Sequence, residues 1–173
     1  MNRTYPTEGY QVPKKNLLLI SCIDLRLMDD LVRFMDHENL TNRYDHFILA
    51  GSSLGTTLLK LEGWKNEVDD EAGGKFDVRK FKPASWEQTL HEHLGIAKAL
   101  HKIEDVYIVE HENCGAYRAF VTKEVLADKG EEGCQRISST MLAKEIEQKY
   151  GLQVHCFLMD LRGNVKLLER QAA

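Results

Sequence analysis

NLLLISC, at positions 16–22, is a continuous apolar run that follows a polar arm and ends in a cysteine. A run that is apolar on both faces is typical of a strand buried in the middle of a parallel sheet. Apolar residues then recur at helical spacing from Leu27 to Leu40, and Asp29 lies near the start of this segment, where the helix dipole favours a carboxylate. The pattern predicts a buried strand followed by a helix that returns the chain.

Strand and helix patterns continue to alternate along the rest of the chain. Short apolar runs indicate strands, and apolar residues at helical spacing indicate helices. The predicted elements after the first helix are strands at 44–50, 105–110, 154–159 and 165–168, and helices at about 85–101, 113–127 and 135–150. We therefore predict an α/β fold with a mainly parallel central sheet of about four strands in the order 2-1-3-4, a C-terminal antiparallel hairpin strand, and flanking helices.

Length and composition favour one folded domain. The chain has 173 residues, 43% of them hydrophobic and 29% charged, which argues against disordered, collagen-like and coiled-coil classes. We predict a single domain over 1–173 with an N-terminal arm at 1–14, a flexible turn of small residues at 51–55, and an insertion loop at about 62–83. Loops of that length are commonly lids, partner contacts or disordered, and a mobile loop without a role is an equal alternative.

Charge and hydropathy bear on partners and location. Lys and Arg total 23 against 27 Asp and Glu, so no basic excess exists to drive binding to a phosphate backbone. The apolar run at 17–20 is too short for a secretory core of about 7 to 15 residues or a membrane span of about 20. We therefore expect a cytoplasmic protein that binds neither nucleic acid nor membranes.

Two cysteines lie just past the ends of predicted parallel strands, in the segments 22–26 and 111–115. If these strands are neighbours, Cys22, His111 and Cys114 meet beyond the carboxyl edge of the sheet. Two thiolates and one imidazole suit Zn²⁺, with the fourth tetrahedral position left for water. The pattern predicts a catalytic type of metal site.

The other two cysteines receive the opposite interpretation. All four cysteines are expected to be thiols in a reducing compartment. Cys134 falls in a predicted loop and Cys156 inside a predicted apolar strand, so both are interpreted as structural thiols.

At the two strand ends the sequence resembles the β-class carbonic anhydrases. The family's C-x-D-x-R pattern is matched at 22–26 and its H-x-x-C pattern at 111–114, which continues as Cys114-Gly115-Ala116. The resemblance extends from about Asn16 to the terminal hairpin. Either motif alone would be weak, whereas the two together are specific.

The resemblance implies a set of roles. Cys22, His111 and Cys114 would be zinc ligands, and Asp24 with Arg26 would form a dyad beside the open coordination position. The implied reaction is the reversible hydration of CO₂ to bicarbonate by attack of zinc-bound hydroxide. In some members the aspartate instead binds zinc, and the sequence leaves both states open. Further candidates for orienting the ligands are Glu112, Asn113 and Gly115; for the first two, a solvated turn is an equal alternative.

The family's assembly implies a homodimer or a larger homo-oligomer, with the N-terminal arm packed on a partner. One departure from the family pattern concerns the substrate pocket, because Ser52 and Ser53 follow Gly51 where asparagine is frequent. Two alternatives therefore stay open. One is a zinc hydrolase of CS₂ or COS on the same scaffold, and the other is a non-catalytic zinc-binding module that uses the 62–83 loop as a binding surface.

Overall fold

The computed structural model describes residues 2–7, 9–65 and 83–170. The segment 66–82, and with it most of the predicted insertion loop, lies outside the described residues. The strands are β1 (Leu17–Ser21), β2 (Tyr44–Ile48), β3 (Asp105–His111), β4 (Gln153–Met159) and β5 (Val165–Leu167), and the helices are α1 (Met28–His37), α2 (Leu54–Thr57), α3 (Pro83–His101), α4 (Gly115–Phe120) and α5 (Lys123–Tyr150).

Within the described residues the strands form one mixed sheet in the order β2-β1-β3-β4-β5. The strands β2, β1, β3 and β4 run parallel to one another, and β5 runs antiparallel to β4. Every residue of β1 and β3 is buried, which explains why both read as nearly unbroken apolar runs. The predicted fold class and strand order are confirmed.

Alternate residues of the strands enter two different cores, because side chains of a strand point to opposite faces. Leu18 and Ile20 of β1 face the core that α3 and α5 cover. Leu17 and Leu19 face the core that α1 covers. The sheet therefore has helices on both faces, and the connections after β1 and β3 diverge to different sides.

The N-terminal arm packs on its own chain. The Thr4 carbonyl accepts a hydrogen bond from the Val165 amide at 2.8 Å, at the β5 edge of the sheet. Tyr10 makes edge contacts with Tyr107 and Phe157 on the α1 side and donates to Glu38. Contact of the arm with a partner subunit stays a prediction. Among the described helices, none combines the length and the apolarity needed to cross a bilayer.

The predicted turn is confirmed at residues 51–53, but its extension over Leu54 and Gly55 is wrong. Gly51 makes a turn with φ of 80°, but α2 follows at once and the whole segment is buried. The small residues serve close packing, since a Cβ on Gly55 would lie 2.6 Å from Leu49 Cδ1. Small residues are typical of flexible turns, but here their small side chains allow this segment to pack closely against the end of β2.

The predicted loop around Cys134 is also wrong. Cys134 lies in α5 and is fully buried. The helix continues on both sides of Gly130, whose φ of 68° and ψ of 164° produce a kink. Gly133 beside Cys134 favoured a loop, but the backbone leaves helical geometry at Gly130, and the helix continues through Gly133 and the buried Cys134. The structural-thiol interpretation is compatible with this buried position.

Candidate metal centre

The carboxyl ends of β1 and β3 bring the two predicted motifs together. The strands are adjacent and parallel, with Ser21 paired to Val109, so Cys22 and His111 emerge at the same edge of the sheet. Cys114 follows a short turn and precedes the first residue of α4. One ligand atom from each of these three residues lies within 4.8 Å of the other two, and all three residues are buried.

The turn between His111 and Cys114 depends on one unusual backbone conformation. Asn113 has a φ of 59°, in the left-handed region that asparagine tolerates better than most residues. This conformation turns the chain so that Cys114 points back toward β1, where the Cys22 and Cys114 sulfurs are 3.9 Å apart. Two sulfurs bound to one tetrahedral ion at about 2.3 Å would be separated by about 3.8 Å.

His111 presents a free nitrogen to the two sulfurs. Its Nδ1 lies 3.0 Å from the Glu112 carbonyl, which accepts only from a protonated nitrogen and so assigns the neutral ring's proton to Nδ1. Nε2 is buried and has no hydrogen-bond partner among the described residues. A buried lone pair with no donor is costly unless a cation occupies the position. The two thiols and this nitrogen therefore fit Zn²⁺, which prefers sulfur and nitrogen ligands.

The thiols have unequal pKa values. The hydrogen bond with Cys114 lowers the pKa of Cys22, assisted by His111 and by the Gly51 amide, which donates to Cys22 Sγ at 3.3 Å. The same contact with Cys22, together with burial, raises the pKa of Cys114. Burial lowers the pKa of His111, but the Cys22 sulfur, the Glu112 carbonyl and Asp24 together raise it by more, so the net shift is upward. The pair of sulfurs therefore favours holding a negative charge where a cation would sit.

Asp24 and Arg26 form a two-point ion pair beside this cluster. Arg26 Nε donates to Asp24 Oδ1 at 2.8 Å and Nη2 donates to Oδ2 at 2.6 Å. These bonds lower the pKa of Asp24 to about 2, so the carboxylate is ionised throughout the neutral range. Asp24 Oδ2 lies 3.8 Å from His111 Nε2, which places the carboxylate next to the free nitrogen.

A small cavity adjoins the cluster. Its volume of about 10 Å³ gives room for roughly one water molecule. Asp24 and His111 supply polar lining. The remaining lining residues are Ser21, Cys22, Leu27, Leu31, Val109 and Met159. The cavity lining therefore combines polar groups of the cluster with apolar side chains.

Glu112 and Asn113 contribute to the site through the backbone. The side chains of Glu112 and Asn113 are exposed, while their carbonyls accept hydrogen bonds from His111 and Arg26 respectively. Gly115 is the exposed first residue of α4. The candidates thus lie beside the cluster, and the turn itself orients the ring and the guanidinium.

Glu110 is a site residue that the sequence reading missed. It is fully buried, and burial raises its pKa to about 8. Its Oε1 accepts from the Ser53 amide at 3.1 Å and from Ser53 Oγ at 2.5 Å, which anchors the turn whose Gly51 amide reaches Cys22. A signal existed, because Glu110 continues the core-facing alternation of Val106 and Ile108.

Two residues of α5 were also missed. Glu131 accepts hydrogen bonds from the Asn113 and Cys114 amides, and Gln135 donates to the His111 carbonyl at 2.7 Å. No local pattern marks these residues, since their partners lie 17 to 24 residues earlier in the chain.

A second group of metal-capable side chains lies elsewhere, formed by Glu87, His91 and Glu145. The ammonium of Lys60 is 2.8 Å from Glu87 and 2.6 Å from Glu145, so a cation already occupies the position between the carboxylates. This group is an ion-pair network.

No protein-family model matches the chain. An uncharacterized protein of Rickettsia bellii is 30% identical over 159 residues, which cover 90% of this chain and 84% of the relative. An uncharacterized protein of Rickettsia conorii is 29% identical over 151 residues, 86% of this chain and 69% of the relative. The chain belongs to the same family as the Rickettsia bellii protein.

Solved structures with a similar fold are β-carbonic anhydrases of Aspergillus fumigatus. The enzyme CafA superposes with a TM-score of 0.51 at 14% identity, over 92% of this chain and 77% of CafA. Wild-type CafD gives a TM-score of 0.52 at 12% identity, over 91% of each chain. Identities this low show a shared fold alone.

Proposed function

We propose that this chain is a β-class carbonic anhydrase, a lyase that converts CO₂ and water reversibly to bicarbonate. The observation that carries the proposal is the meeting of Cys22, His111 and Cys114 beside the Asp24–Arg26 ion pair. The fold shared with the two Aspergillus enzymes supports it.

In this proposal Cys22, His111 and Cys114 hold Zn²⁺. When bound, the metal acts as a Lewis acid that makes water a nucleophile near neutral pH. His111 is prepared for this role because its Nδ1 proton is held by the Glu112 carbonyl, which leaves the Nε2 lone pair toward the sulfurs. The Gly51 amide supports the Cys22 sulfur by donating a hydrogen bond to it.

Asp24 orients the reacting water. Its low pKa keeps the carboxylate an acceptor, so it takes a hydrogen bond from the water and directs an oxygen lone pair toward the substrate carbon. Arg26 fixes the carboxylate at two points, which restricts its rotation.

The proposal is tested by stopped-flow CO₂ hydration with the zinc-loaded protein between pH 7 and 9. We expect a rate above that of buffer for the wild type. Asp24→Ala should lose about 10²-fold or more of this rate while keeping its zinc. Asp29→Ala is the matched control, since this exposed carboxylate on α1 lies outside the cluster and should leave the rate unchanged. A zinc-loaded wild type without activity above buffer would refute the proposal.

Hydrolysis of CS₂ or COS is the second candidate. The Gly51–Ser53 turn, which supports Cys22, departs from the family pattern. This departure leaves these sulfur analogues of CO₂ as alternative substrates. Release of H₂S from either substrate, faster than CO₂ hydration, would favour this candidate.

A non-catalytic zinc module is the remaining alternative, and for it Asp24→Ala should change neither stability nor partner binding.

We also propose that the chain is a homo-oligomer in the cytoplasm. Ile23 and Leu25 flank Asp24 and are 61% and 86% exposed in the isolated chain, so a second copy could cover apolar surface directly beside the site. Analytical ultracentrifugation of the zinc-loaded protein should show a dimer or larger species, whereas a monomer at micromolar concentration would contradict this part of the proposal.

A further inference from the structure

The turn that carries Cys114 is held by a side chain from α5. Glu131 Oε2 accepts a hydrogen bond from the Asn113 amide at 2.9 Å, and Oε1 accepts one from the Cys114 amide at 2.6 Å. Both carboxylate oxygens are thus bonded to successive amides of the turn. Bonds to an ionised acceptor are stronger than neutral ones, so this contact holds the backbone of Cys114 firmly.

The same peptide is held from its other side by the guanidinium that fixes Asp24. The Asn113 carbonyl accepts from Arg26 Nη2 at 3.0 Å. Arg26 also makes the two bonds to the Asp24 carboxylate. A continuous chain of hydrogen bonds therefore runs from Glu131 through the Asn113 peptide to Arg26 and on to Asp24.

α5 supplies a second contact one helical turn further on. Gln135, four residues after Glu131, donates to the His111 carbonyl at 2.7 Å and is itself buried. Residues four apart lie on one face of a helix, so a single face of α5 contacts both ends of the 111–114 turn. The kink at Gly130, immediately before Glu131, sets where this face begins.

We propose that Glu131 is a positioning residue for the metal centre. It fixes the position of Cys114 and, through the Asn113 peptide and Arg26, that of Asp24, while Gln135 holds the His111 end of the same turn. The inference rests on the proposed function, because it assigns Glu131 a role toward the metal that Cys114 would bind. A purely structural role would change the stability of the fold without changing zinc affinity at equal folding.

The test is zinc affinity measured by competition with a chelator, for proteins shown by circular dichroism to be folded. Glu131→Ala should bind zinc about 10- to 100-fold more weakly than the wild type. Glu131→Gln should lie between them, because one amide oxygen can replace one of the two acceptors. The matched controls are Glu132→Ala and Glu132→Gln, which remove the same charge from a residue that pairs with Arg136 and Lys166 instead.

A second measurement needs no metal. In the metal-free protein, hydrogen exchange at the Asn113 and Cys114 amides should become faster in Glu131→Gln than in Glu132→Gln. Equal zinc affinity of the Glu131 and Glu132 variants, or unchanged exchange at these amides, would overturn this inference and leave the proposed function standing. A wild type that takes up no zinc would overturn the proposed function and this inference with it.

Discussion

Each of the three metal-capable side chains has a support of its own. The Gly51 amide donates to Cys22 Sγ, the Glu112 carbonyl holds the His111 ring, and Glu131 holds the backbone of Cys114. Loss of such an outer contact commonly lowers metal affinity by about 10- to 100-fold. At the residue scale, the candidate site therefore consists of ligands together with the groups that orient them.

Glu110 should make the free energy of unfolding depend on pH. With a pKa near 8, native Glu110 keeps a proton between about pH 4.5 and 8 that the unfolded chain has released. The native state binds more protons in this window, so the free energy of unfolding falls as the pH rises, by up to about 1.4 kcal/mol per pH unit. Glu110→Gln keeps an Oε1 acceptor for Ser53 and removes the proton.

The check is urea unfolding of metal-free wild type and Glu110→Gln at several pH values from 5 to 8. We expect the variant to gain stability relative to the wild type as the pH rises. Subtracting the two curves removes contributions that both proteins share, such as that of His111. Parallel curves would mean that Glu110 ionises as easily in the native state as in the unfolded state.

At the scale of elements, α5 connects the site to the rest of the fold through its kink. Gly130 adopts a φ of 68° and a ψ of 164°, a region open to glycine but strained for other residues. A Cβ at this position would meet no atom within 4 Å, so only backbone strain opposes a larger residue. Gly133, three residues on, lies within the continuing helix.

Alanine substitutions at the two glycines should have opposite effects. Gly130→Ala should lower the free energy of unfolding by about 1 to 3 kcal/mol because of strain. Gly133→Ala should raise it by up to about 1 kcal/mol, since alanine favours helix and its Cβ would meet only Lys129 Cβ at 3.4 Å. Urea unfolding measures both. Equal effects of the two substitutions would contradict a kink specific to Gly130.

The elements were predictable where local pattern decides the structure. The buried runs of β1 and β3 indicated strands, and their ends located Cys22 and His111 correctly. The end of the 51–55 segment was misread because small residues serve both turns and close packing, and only the approach of Gly55 to Leu49 distinguishes the two. Glu131 could not be found from sequence, because its role arises from a contact between α5 and a turn distant along the chain.

At the scale of the whole molecule, topology creates the site and chemistry defines its use. β1 and β3 lie side by side at the centre of the sheet, and the chain leaves them toward opposite faces, which opens a crevice at their carboxyl ends. One fold can support many reactions, so the proposed function depends on the donor set and the Asp24–Arg26 pair. The segment 66–82 lies outside the described residues, so the site described above does not include it.

The zinc content of the purified protein tests the central claim, a metal centre at Cys22, His111 and Cys114, most directly. Elemental mass spectrometry should find about one zinc ion per wild-type chain and little zinc in Cys114→Ser, since a catalytic site needs all three ligands. Cys156→Ser, which alters a buried thiol of β4, should keep its zinc. No zinc in the wild type, or equal zinc in the wild type and Cys114→Ser, would contradict the claim.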